Sequence, residues 1–272
     1  MTGSTLRIFL SASFGIVLTV SAGRAQPFAS TRERTGCTAE AQPDRLKSLS
    51  QEGDLILASG RLAKLAGIRL PDGAPYREQA LSWLQIRRGD AILVQTAAAP
   101  DRWNRIAVRI RSLDRTAPLD WSHGLIEAGL AITDAGLDET FCQPELLALE
   151  STARERRLGL WSDDRYKPMD VDRPEHLQDR IGSFVLVEGR VRSIGERKQR
   201  TYLNFGGLWA EDFTIIIPRK TWKRMSDRGM GAEALKGQRI RARGILQPWQ
   251  GTAFSIVIPD MIERLEGGRL PR

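Results

Sequence analysis

The chain has 272 residues, 41% of them apolar and 27% charged, with a formal charge of +8. That length holds two ordinary domains, and the balance of apolar and charged residues is that of a globular protein rather than a disordered one. The charge is uneven: residues 26–176 carry 21 basic and 23 acidic side chains, whereas residues 177–272 carry 18 and 10. A cationic C-terminal third suits a polyanion such as nucleic acid, or an anionic membrane surface; a merely soluble basic surface is the alternative.

The N-terminus reads as an export signal over residues 1–25. Arg7 precedes an apolar run from Ile8 to Ala22, and small residues at Ala22 and Ala25 offer cleavage points. The run is short for a bilayer span, and no later segment is long and apolar enough for one. A periplasmic or secreted protein is expected, with an uncleaved anchor as the alternative. Cys37 and Cys142 are an even pair in an exported chain, which supports a disulfide over free thiols; no CxxC or His-rich cluster supports a metal site.

Residues 26–50 contain Pro27, Pro43 and little periodicity, and are expected to be a tether. Alternation then predicts strands through Leu55, Leu57 and Leu62, with Gly60 between them, and over Lys64 to Ile68. Tyr76 to Arg88 has helical spacing; Ala91 to Val94 and Arg105 to Ile110 look like strands. Helices are predicted over Leu119 to Leu130 and Pro144 to Arg157, the latter with Leu146, Leu147, Leu149 and Ala153 on one stripe and Gly159 at its end. Residues 51–162 form one expected domain, and the polar stretch 163–176 a linker. Residues 177–272 form a second, with strands near 184–191, 201–205, 213–217, 238–246 and 254–258 and helical character between the third and fourth. Five strands with that insertion are the pattern of an OB-fold barrel.

Several short blocks in the first domain occur in a telling order: Glu52-Gly53-Asp54, Lys64 to Asp72 (KLAGIRLPD), Asp101-Arg102-Trp103-Asn104-Arg105, Gly129-Leu130-Ala131 and Gly159-Leu160-Trp161. Together, over about 110 residues, they resemble the thermonuclease (staphylococcal nuclease-like) family. The resemblance implies an OB barrel with three helices, phosphodiester hydrolysis, and a bound Ca2+ ion. The expected fold class is therefore mainly β with α: an N-terminal OB-type barrel with three helices and a second, smaller OB-like barrel.

Carried over position by position, the resemblance makes Asp54 a metal ligand, Lys64 and Arg105 the grip on phosphate, and Asp72 the acid that orients water. Three departures weaken it. Lys64 replaces an arginine and loses the bidentate fork that suits phosphate. Asp72 replaces a glutamate and is one methylene shorter. Arg69 replaces a calcium-binding aspartate, so a cation stands where an anion held the metal. Each residue also has a local alternative: Asp54 ends a turn, Lys64 is solvated, Arg105 pairs with Asp101, and Arg69 pairs with Asp72 or Asp54.

The second domain interleaves cations with aromatics. Basic residues cluster at Arg190, Arg192, Arg197, Lys198 and Arg200, at Arg219, Lys220, Lys223 and Arg224, and at Lys236, Arg239, Arg241 and Arg243. Tyr202, Phe205, Trp209, Phe213, Trp222 and Trp249 lie among them. OB barrels bind single strands by stacking bases on aromatics in a cationic groove, so Arg190, Arg192, Arg239, Arg241 and Arg243 are candidate nucleic-acid contacts. Phe205 and Phe213 are equally placed to be core. Taken together, the expectation is an exported thermonuclease-like hydrolase or a nucleic-acid-binding descendant with weakened catalysis. A non-catalytic envelope scaffold, binding a protein or an anionic envelope polymer, is the alternative from a different class.

Overall fold

The computed structural model describes residues 37, 39–113, 118–136, 141–207 and 212–265. The expected leader, residues 26–36 and 38 of the expected tether, and Trp209 lie outside the described residues.

The first barrel is built from β1 (Gln42–Leu49), β2 (Leu55–Leu57), β3 (Leu62–Leu65), β4 (Ile68–Arg69), α1 (Tyr76–Gln85), β5 (Ala91–Thr96), β6 (Arg105–Ser112), α2 (Trp121–Glu127), β7 (Ile132–Thr133) and α3 (Glu145–Glu155). Five strands close in the order β1-β2-β3-β6-β5, with β3 and β6 parallel. Alternation directs Leu55, Leu57, Ala63, Leu65, Ile92 and Val94 inward, where all are buried. β1 corrects the expected tether: residues 42–49 are a barrel strand, hydrogen-bonded to both β2 and β5. Its alternation is faint because Leu46 is its one fully buried side chain.

The helices pack by their apolar stripes. Ala80 and Leu84 bury α1, and Leu146 and Ala153 bury α3. Asp120 caps α2 by accepting from the Ser122 and His123 amides. Cys37 and Cys142 form a disulfide that ties the segment before β1 to the approach to α3.

Residues 163–176 are structured rather than a free linker. They contain a 3-10 turn (Asp164–Tyr166), β8 (Met169–Asp170) and the start of α4 (Pro174–Gln178). β8 pairs with the next strand, and Val171 and Leu177 are buried, which anchors an otherwise polar strap.

The second barrel comprises β9 (Phe184–Arg190), β10 (Ser193–Glu196), β11 (Arg200–Asn204), β12 (Phe213–Pro218), α5 (Arg219–Asp227), α6 (Ala232–Leu235), β13 (Arg239–Ile245), β14 (Gln247–Trp249), β15 (Gly251–Ser255) and β16 (Ile262–Arg264). Its sheets run β10-β11-β12-β15-β14 and β16-β13-β9-β8. With β9 and β10 as one bent strand and β13 and β14 as another, the connectivity repeats that of the first barrel. The third and fifth strands, β12 and β15, are again parallel, and helices again follow the third strand. The protein is mainly β with α, built on two OB-type barrels. Phe205, Phe213 and Phe254 form the second core, with ring centroids 5.4 and 5.0 Å apart, so Phe205 and Phe213 are core residues and not stacking platforms.

Among the described residues no helix is long and apolar enough to cross a membrane.

Candidate functional site

Residues from β3, the start of β6 and the turn before β2 surround a cleft of about 220 Å³ on the first barrel. Glu52, Asp54, Lys64, Arg69, Asp72, Arg77 and Arg105 line it. Asp54 sits in a turn where its amide donates to Ser50 Oγ at 3.1 Å. Lys64 lies on β3 between the inward residues Ala63 and Leu65, so its amine points away from the core. Arg105 opens β6, opposite Leu62 in the parallel ladder. The residues singled out in the first-domain motifs thus share one cleft, although they come from four separate segments.

The cations of this cleft are already paired. Arg105 donates through Nε to Asp101 Oδ2 at 3.0 Å, and its Nη1 is 3.4 Å from Asp54 Oδ1. Lys64 Nζ stands 3.5 Å from the same Asp101 oxygen. Burial alone would raise the Asp101 carboxyl, but hydrogen bonds from the Arg105 side chain and from the Arg105 and Trp103 amides outweigh it and hold that carboxyl well below the usual range. The Asp101 hydrogen bond raises Arg105 in turn, against the effect of burial.

Arg69 does not pair with Asp72 or Asp54. Its Nε donates to Asp134 at 3.0 Å, and its guanidinium lies 4.8 Å from the centroid of the Phe184 ring. The cause is the β4–β7 pairing, which sets Arg69 opposite Ile132 and brings Asp134, just beyond β7, within reach. Asp72 is exposed on the rim and makes no hydrogen bond or ion pair with another described residue. Arg77, which motif reasoning missed, donates to the Pro71 and Glu52 carbonyls and ties the rim together. No local sequence signal distinguishes it from an ordinary first-turn arginine.

Trp103 is 56% exposed beside the cleft. The turn carrying it is closed by Asn104, in the left-handed region at φ 60, whose amide donates to the Asp101 carbonyl at 2.8 Å. The Arg102 and Arg105 guanidinium carbons lie 3.8 and 4.7 Å from the Trp103 ring, in cation–π contact.

A calcium ion needs six to eight oxygen ligands gathered about one point. Among the described residues no three acid, histidine or cysteine side chains gather in that way. Asp54 is engaged by Arg105, and Arg69 adds a cation to the cleft wall. These residues do not fit the ion that the motif resemblance implies.

The candidate contacts on the second barrel divide. Arg243 is out of reach of any ligand: it is fully buried, bonded to Glu150 and Glu263. Arg241 and Arg239 are both committed to Glu188, at 2.7 and 3.1 Å. The physical reason is that the arginine-bearing face of β13 turns towards α3 rather than solvent at its Arg243 end. Arg190 is exposed, donates to the Gly237 carbonyl and stands opposite Arg239; Arg192 is exposed as well.

Fold and cleft define a mainly β protein of two OB-type barrels whose first barrel carries a mixed cation–carboxylate site. No protein-family model matches the chain. It is 28% identical over 116 residues to "Endonuclease Htp3" of Saprolegnia parasitica, covering 38% of this chain and 53% of that protein. It is also 28% identical over 111 residues to "Probable endonuclease LCL3" of Clavispora lusitaniae, covering 37% and 48% respectively. The chain thus spans about half the length of the curated relatives it matches. Both are named endonucleases, which relates the chain distantly to nucleases.

Proposed function

We propose that the first barrel is a thermonuclease-like module that binds the phosphate backbone of nucleic acid in the cleft, with hydrolysis weak or absent. The observation that carries this is the paired state of the cleft: Arg105 is held by Asp101 and Asp54, and Arg69 stands on the wall where an open set of carboxylates would be needed for an ion. Lys64 and Arg105 exchange part of their carboxylate contacts for phosphate oxygens. Trp103, exposed beside the cleft, offers its ring to an adjoining base as the Arg102 or Arg105 guanidinium stacked on it turns to phosphate. Asp72 is the acid that remains to orient a water, and its exposure and short reach leave it poorly placed to do so.

The similarity to two named endonucleases supports nucleic acid as the ligand. A periplasmic or secreted location is part of the proposal. It is supported by the Cys37–Cys142 disulfide, since such bridges persist in oxidising compartments, and by the apolar run from Ile8 to Ala22.

The test is digestion of single- and double-stranded DNA with calcium and with chelator, beside an Arg69→Asp/Asp72→Glu variant. Expected is salt-sensitive DNA binding with little or no cutting by the wild type, and a gain of calcium-dependent cutting in the double variant. Robust calcium-dependent cutting by the wild type would overturn the weakened-catalysis part, and absence of DNA binding would favour the scaffold alternative.

A further inference from the structure

We infer that the outer face of the five-stranded sheet in the second barrel is a binding site for single-stranded nucleic acid, separate from the cleft of the first barrel. Two basic segments are pinned together at one end of this sheet. The Arg219 amide donates to the Gln199 carbonyl at 3.0 Å, and Arg219 Nη1 donates to the Lys198 carbonyl at 3.2 Å. The turn 197–200 and the helical segment 219–224 contain seven cations and no acid. Arg197, Lys198, Arg200, Arg219, Lys220 and Lys223 are all exposed. Trp222 and Met225 bury the other side of α5, so the cations of that helix are held in place. Lys223 shares Asp227 at 3.2 Å, and the exposed Glu196 lies just before the turn, so the patch remains strongly positive. Like charges held this close repel, and a polyanion relieves that repulsion.

The sheet face leading away from the patch carries what a plain anion site lacks. Thr201 and Leu203 point inward and are buried, which sets Arg200, Tyr202 and Asn204 on the outer side of β11. Tyr202 stands opposite Gly195 on one neighbour and Ile216 on the other, so its ring meets no bulky partner across β10. On the same side, Ile216 and Thr214 of β12 and Ala253 of β15 are buried, so the exposed part of this face is its rim: Tyr202 and Asn204 of β11, Ser255 of β15, and Gln247 and Trp249 of β14. Trp249, at the far end, is 47% exposed. At about 3.3 Å per residue the patch and Trp249 lie roughly 20 Å apart along β15. That span suits a few nucleotides, in keeping with the roughly 4–16 that one OB barrel accommodates. Cations at one end would accept any polyanion. An exposed indole at the other end selects a strand whose bases are unstacked, because a duplex hides its base faces.

The test is fluorescence anisotropy of the full chain with a labelled oligo-dT of about twelve nucleotides, at about 50 and 200 mM salt. A duplex of the same length and heparin serve as competitors. An Arg197→Ala/Lys198→Ala/Arg200→Ala variant is expected to lose about tenfold or more in affinity and to flatten the logarithmic salt slope by about 2, since each phosphate contact to a single strand contributes about 0.7. Trp249→Ala is expected to weaken oligo-dT binding roughly tenfold while leaving that slope unchanged. Both losses persist in a Lys64→Ala/Arg105→Ala background, which separates this face from the first cleft whether or not that cleft binds DNA. All the substituted second-barrel residues are exposed, so thermal melts should match the wild type; Lys198→Glu repeats the charge test with one change. Unchanged oligo-dT affinity in the triple variant overturns the inference. So does a silent Trp249→Ala, and heparin or duplex competing as well as the single strand would then identify the patch as a general polyanion surface.

Discussion

The guanidinium of Arg243, on β13 of the second barrel, donates at 2.8 Å to both carboxylate oxygens of Glu150, on α3 of the first, and neither side chain is exposed. Glu150 also accepts from the Thr133 amide at 2.6 Å and from Arg154 at 3.1 Å, while Glu263 supplies a second carboxylate to Arg243. Burial would lower the Arg243 pKa, but Glu150 and Glu263 reverse the effect and raise it, so the guanidinium stays charged. Around it Ile132, Ala153, Leu160, Trp161 and Leu186 make an apolar cluster drawn from both barrels. Desolvation offsets most of the attraction in such a pair, yet removing one partner strands the other charge. Arg243→Met or Glu150→Gln alone should therefore cost about 3–5 kcal/mol. Arg243→Met combined with Glu150→Gln, which keeps an acceptor for the Thr133 amide, should cost clearly less than the sum. Urea melts of the four proteins check this, and additive losses would mean the two residues are not coupled.

Gly129 and Gly159 mark a crossing of two backbones. Gly129 has φ 66, and a Cβ there would stand 2.1 Å from the Leu158 carbonyl oxygen; Gly159 has φ 50, with 2.2 Å to the Gly129 oxygen. The Leu160 amide donates to that same Gly129 oxygen at 2.9 Å. The glycines of the two motif blocks are thus required by the fold rather than by chemistry. Alanine at either should destabilise by more than about 1 kcal/mol, through the left-handed backbone and the displaced chain together. Gly60→Ala is the control, since Gly60 has φ 84 but nothing within 4 Å of its would-be Cβ. It should be the mildest of the three in chemical denaturation.

The disulfide closes a sequence separation of 105 residues around the first barrel. A bridge over a loop of that length restricts the unfolded chain and adds about 2–4 kcal/mol. Reduction, or a Cys37→Ser/Cys142→Ser variant, should lower stability by that amount in denaturant melts run with and without reductant. The variant itself should be insensitive to reductant.

Much of the architecture is legible in sequence where one face of an element is buried. Leu55, Leu57, Ala63 and Leu65 alternate because the barrel interior takes every second side chain. β1 is hidden because Leu46 alone is fully buried there, and hydrogen bonds to two neighbours define the strand instead. Alternation also reports two faces without saying what covers them: Arg239, Arg241 and Arg243 read as a solvent face, yet α3 covers Arg243. The visible clue was Glu150, an acid at a core position of a helical stripe with Leu146 and Ala153. At the cleft, the ordered motif blocks place Asp54, Lys64, Asp72 and Arg105 along one lining. The partner of Arg69 was out of reach of local reasoning, since Asp134 lies 65 residues away and arrives only through the β4–β7 pairing.

Asp101 holds the cleft cations in check, and that makes its removal informative. One oxygen, Oδ1, accepts from the Trp103 and Arg105 amides at 3.0 Å each, while the other, Oδ2, takes the Arg105 and Lys64 side chains. Asp101→Asn keeps an acceptor for the two amides but withdraws the charge that competes with phosphate. Affinity for DNA at the first cleft should rise several-fold and its salt dependence steepen, since more of the cation charge becomes available to phosphate. Stability should move the other way, with a definite pH dependence. The folded-state pKa of Asp101 is depressed, so its contribution is fully present above the unfolded carboxyl value of about 3.9 and is lost as pH falls below that towards the folded value. The wild type should exceed Asp101→Asn in urea melts at neutral pH, and the gap should narrow as the solution is acidified below about pH 4. A gap that is constant with pH, or DNA binding that weakens in Asp101→Asn, would show that this carboxylate does not restrain Arg105 and Lys64.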